Sequence, residues 1–75
     1  AVHHPEQALM LERARLARES QGFFDKAFRL GESDLPTRLR IAQETFAAER
    51  AAQRARIQQA AALSAYRQAL GLLPE

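Results

Sequence analysis

Leu30-Gly31-Glu32-Ser33-Asp34-Leu35-Pro36 is the one place in this chain where a helix stop is followed at once by a helix start. Gly31 is suited to the residue just past a helix C-terminus, because it adopts positive φ without a Cβ penalty. Ser33 or Asp34 can cap a following helix, and Pro36 falls in that helix's first turn, where a missing N–H costs nothing. Upstream, Pro5 suits a first turn, and only Gly22 interrupts the helix formers between Glu6 and Leu30. Downstream, Thr37 to Leu70 contains no Gly or Pro, after which Gly71 is expected to close the helix and Pro74 to prevent its resumption. The reading is one unit over residues 1–75: a helix over about 5–30, a turn at 31–34 and a helix over about 35–70. A short turn between long helices makes them antiparallel. Gly22 costs only about 1 kcal/mol relative to Ala, too little to break a packed helix.

Composition supports the same class. The chain has 75 residues, with 16 Ala, 10 Arg, 7 Glu and 7 Gln. With leucine these strong helix formers make up two-thirds of it. Val and Ile together number 3, too few for a sheet. The fold class is therefore all-α, an antiparallel two-helix coiled-coil hairpin. Alanine buries little area but lets helix axes approach closely, so long helices side by side are favoured over a thick core.

The apolar periodicity adds neighbours. In the first helix Met10, Ala14, Ala17, Gln21, Phe24, Phe28 and Gly31 form a heptad seam with one polar break. Leu9, Leu16, Phe23 and Leu30 recur every seven residues beside it. In the second helix Leu35, Leu39, Ala42 and Phe46 begin a seam that fails at Glu49 and Gln53. A second row runs on through Ile41, Thr45, Ala48, Ala52, Ala55, Gln59, Ala62, Tyr66 and Ala69. A two-helix hairpin needs one seam per helix. The extra rows imply further neighbours, so the chain is expected to self-associate or to be only marginally stable.

The net charge is +2. Acidic and basic groups interleave at helical spacings: Glu12 with Arg15, Arg15 with Glu19, Asp25 with Arg29, Asp34 with Arg38, Arg40 with Glu44. Only Arg50, Arg54 and Arg56 form a local basic cluster. A nucleic-acid binder would show a continuous basic stripe, so no nucleic-acid partner is expected. No apolar run of 18 residues spans a membrane. The opening residues Ala1 to Pro5 lack a signal-peptide pattern, so any export signal is expected outside this chain.

Catalytic chemistry has no foothold. With no Cys there is no disulfide, thiolate site or cysteine nucleophile. No phosphate loop, H-E-x-x-H, nucleophile elbow or carboxylate dyad is present, so neither an enzyme nor a cofactor is expected. His3 and His4 are adjacent, point in different directions on a helix and read as surface. Asp25, Glu32 and Asp34 around the turn could form a cation-attracting tip, but capping and pairing with Arg29 and Arg38 account for them, and no metal site is assigned. Tyr66 reads as a packing residue.

Two phrases carry a resemblance. Ala27-Phe28-Arg29-Leu30-Gly31-Glu32-Ser33-Asp34-Leu35, and about 35 residues on Ala65-Tyr66-Arg67-Gln68-Ala69-Leu70-Gly71, resemble the C-terminal periplasmic helical hairpin of TolC-like outer-membrane efflux proteins, and within them the heavy-metal efflux branch. The likeness covers about residues 19–73. It implies a hairpin from the α-barrel of a trimeric outer-membrane channel, whose periplasmic end meets the hairpins of a periplasmic adaptor tip to tip. Leu30, Gly31 and Glu32 match the hydrophobic–Gly–polar tip. The partner-binding set implied is Leu30, Gly31, Glu32, Ser33, Asp34 and Leu35. Ala48, Ala52 and Ala55 are expected on the interfaces between copies. Pro36, Arg38 and Arg40 depart from the family, which has acidic or aliphatic residues there in many members. The family's barrel strands and its other helical half are absent from these residues. Two other readings stand beside this one. The adaptor's own hairpin carries an Arg-x-x-x-Leu-x-x-x-Ser-type pattern after the turn, whereas Arg38 here is followed eight residues on by Phe46. A generic helical-hairpin interaction module is the other.

Overall fold

The computed structural model describes residues 5–72; His3, His4 and Pro74 lie outside them. Two helices, α1 (Pro5–Arg29) and α2 (Leu35–Gly71), form an antiparallel hairpin. Among the described residues there is no strand. α1 opens on Pro5 with Glu6 in its first turn and ends with Lys26 and Arg29 in its last, so both ends carry charges that oppose the helix dipole. Gly22 stays inside the helix, exposed, with no neighbour within 4 Å of where a Cβ would sit.

The turn is closed by paired caps. Gly31 is at φ 75°, and no non-glycine described residue has positive φ. The Glu32 N–H donates to the Ala27 carbonyl at 2.8 Å and the Gly31 N–H to the Phe28 carbonyl at 3.0 Å. That pair of bonds is a Schellman motif, and it satisfies carbonyls the helix end would leave open. On the other side Asp34 is extended, and its Oδ1 accepts from the Thr37 N–H at 2.9 Å. Asp34, not Ser33, is the cap, and Pro36 sits in the first turn. At the far end Gly71 closes α2, as expected. It is the last helical residue rather than a left-handed cap, and Leu72 follows at φ −92° with its N–H on the Gln68 and Ala69 carbonyls.

The seam is built from small residues. Ala14 and Ala52 are each 1% exposed, and Ile41, Thr45 and Ala55 are also buried. On α1 the expected row Met10, Ala14, Ala17, Gln21, Phe24 and Phe28 faces the partner helix, while Gly31 belongs to the turn. On α2 the row beginning at Ile41 is the buried one as far as Ala55, while its later members Gln59, Ala62, Tyr66 and Ala69 are exposed. The Leu35, Leu39 and Phe46 row is exposed. The Thr45 hydroxyl lies 2.9 Å from the Ile41 carbonyl oxygen and 3.2 Å from that of Ala17, so the buried polar group is satisfied within and across the hairpin. A core of alanines and one isoleucine removes little apolar area from water, which makes the hairpin's packing energy small.

The two helices differ in length: α1 has 25 residues and α2 has 37. Pro5 shares a groove with Ala55 and Gln58, so α2 extends past the described part of α1 from about residue 59 to 71, roughly 20 Å at helical rise.

Candidate functional site

The turn brings the six tip residues together at one end of a rod whose cross-section is 17 × 14 Å. Leu30 is 62% exposed and Leu35 51%, with Gly31 and Glu32 also exposed and Ser33 half-buried. The tip therefore presents two leucines on either side of a backbone reversal. A Cβ placed on Gly31 would meet nothing within 4 Å, so the turn surface is open.

Charge at the tip is arranged differently from the i,i+4 expectation. Asp25 pairs with Arg38 across the hairpin, not with Arg29: the Arg38 Nε donates to Asp25 Oδ1 at 3.0 Å. Asp34 does not pair with Arg38; its carboxylate is taken by the cap. Hydrogen bonds from Thr37, side chain first and backbone N–H second, hold the Asp34 carboxyl below the ordinary aspartate value. The Arg38 guanidinium also lies over the Phe28 ring, 4.6 Å from its centroid. Arg38 thus ties the last turn of α1 to the first of α2 by two contacts. Intrahelical spacing pointed to the wrong partner because a hairpin offers a second, cross-chain geometry. Residues 25 and 38 sit at similar distances on either side of the turn, the signal that finds this pair.

Glu32 remains as the acidic group of the tip without an ion pair among the described residues. Ser33 and Glu32 offer acceptors; Asp34 has one carboxylate oxygen committed. Among the described residues no three His, Cys, Asp or Glu side chains gather as a metal site.

Along the shaft the expected pairs form. Arg15 bridges Glu12 and Glu19, and Arg40 pairs with Glu44 at 2.9 Å. The bond from Arg15 holds the Glu12 carboxyl below the ordinary glutamate value. Arg18 reaches Glu49 across the hairpin at 3.9 Å. Arg50 of the basic cluster lies over Phe46, 5.0 Å from the ring centroid, and shields part of that exposed ring. Ala52 and Ala55 are consumed by the seam within the hairpin, and Ala48 is half-buried. They are therefore not the free faces expected between copies. The surfaces open to a neighbour are the Leu9, Leu16 and Phe23 row of α1 and the Leu39 and Phe46 row of α2. Tyr66 is exposed on the overhang rather than packed.

A shallow groove at the open end of the hairpin is lined by Pro5, Gln7, Met10, Arg54, Ala55 and Gln58. Gln7 Oε1 is buried there without a hydrogen-bond partner. No described helix is long and apolar enough to cross a membrane. No protein-family profile, curated protein or solved structure matches the chain.

Proposed function

We propose that this chain is the periplasmic hairpin of a TolC-like outer-membrane efflux channel, and that its turn docks tip to tip with a periplasmic adaptor in a tripartite export pump. The single observation that carries the reading is the tip itself: an exposed Leu30, a positive-φ Gly31 and an unpaired Glu32, held by caps on both sides. Leu30 supplies an apolar contact. Gly31 keeps the turn low, and Glu32 and Ser33 accept from an arginine or hydroxyl donor. The exposed rows Leu9, Leu16, Phe23 and Leu39, Phe46 serve neighbouring hairpins in a trimeric α-barrel. The narrower form of the proposal is a pump for heavy-metal cations, located in the outer membrane with this part in the periplasm. In that assembly the chain acts as a conduit wall and joint, not as an enzyme.

The test is made in the full-length parent channel. Leu30→Asp and Gly31→Leu are expected to reduce efflux and adaptor crosslinking while trimers still form. Phe23→Glu and Phe46→Glu are expected to reduce trimer formation first. Variants at Leu30 and Gly31 that pump normally and still crosslink to the adaptor refute the tip assignment. Metal-ion tolerance measured beside tolerance of organic toxicants decides the cargo. A generic interaction hairpin is the second reading, favoured by the apolar rows that run well beyond the tip. It requires Phe23→Glu to abolish partner binding and Leu30→Asp to leave it intact.

A further inference from the structure

We draw no further inference here: the strongest candidate, the exposed apolar row of Leu9, Leu16 and Phe23 on the outer face of α1, is an unpartnered helix face, and nothing in the structure shows what covers it.

Discussion

The two ends of this rod are built from the same helix-forming alphabet and held in opposite ways. At the turn, the Schellman bonds, the Asp34 cap, the Asp25–Arg38 pair and the Arg38–Phe28 stack all act within seven residues of Gly31. At the other end, the last 13 residues of α2 have helical hydrogen bonds and no described residue of α1 beside them. The contrast separates two sources of order. Propensity and backbone bonding make a helix, but an isolated helix of 12–15 residues is marginal in water. Packing of a facing stripe makes it a persistent one.

The sharpest way to break the contrast is one substitution placed twice on the same α2 row. Ala52→Leu forces three extra carbons and their hydrogens into a site only 1% exposed, where overpacking costs about 1–3 kcal/mol. With so small a core, that is expected to melt most of the hairpin's helicity by circular dichroism at room temperature. Ala62→Leu, ten residues on, is expected to leave the melting curve of the dilute monomer unchanged. Equal effects at both sites mean that the overhang is packed after all.

Two glycines give the next contrast. Gly31→Ala places a Cβ on a left-handed residue and is expected to destabilise by about 1–2 kcal/mol, although space around it is free. Gly22→Ala, in ordinary helical backbone with open space, is expected to stabilise by about 1 kcal/mol. Chemical denaturation of the two variants reads opposite signs. The same sign in both shows that the turn tolerates another conformation.

Arg38→Ala removes an ion pair that is partly exposed and a stack on Phe28. Each is worth about 0.5–1 kcal/mol at such sites, so the loss is expected to be about 1 kcal/mol, with Arg38→Lys recovering part of it. Arg67→Ala on the overhang is expected to change stability by less than the error of the measurement.

The smallest effect is electrostatic. The folded state holds the Asp34 carboxyl below its unfolded value, so its contribution is present above about pH 4 and is lost as pH falls through the lowered folded value. The melting temperature of Asp34→Asn, compared with the parent between pH 6 and pH 3, isolates this step. The parent is expected to lose more on acidification than the variant. Parallel curves would place the cap's strength in geometry rather than charge.

Both helices, the turn between them and the cap role of Gly31 were legible because they are local, and the second cap was narrowed to Ser33 or Asp34 for the same reason. Gly's free φ, the side-chain oxygen of Asp and Pro's preset φ act over four or five residues, whatever surrounds them. The tip residues were legible for the same reason, since a turn places its own members together. Partner choice was not. Periodicity showed two apolar rows on α2 and could not rank them. The bulkier Leu35, Leu39, Phe46 row looked like the start of the seam, yet the alanine-rich row is the buried one. Small side chains let the two backbones approach along their whole shared length, which a row that ends in Glu49 and Gln53 does not allow. Arg38 likewise met Asp25 rather than Asp34 because a hairpin brings residues thirteen apart into hydrogen-bond range while the cap has already taken the nearer carboxylate. Secondary structure here follows from short-range chemistry, whereas the choice of faces and ion pairs follows from the distance between two helix axes, which exists only once they pack.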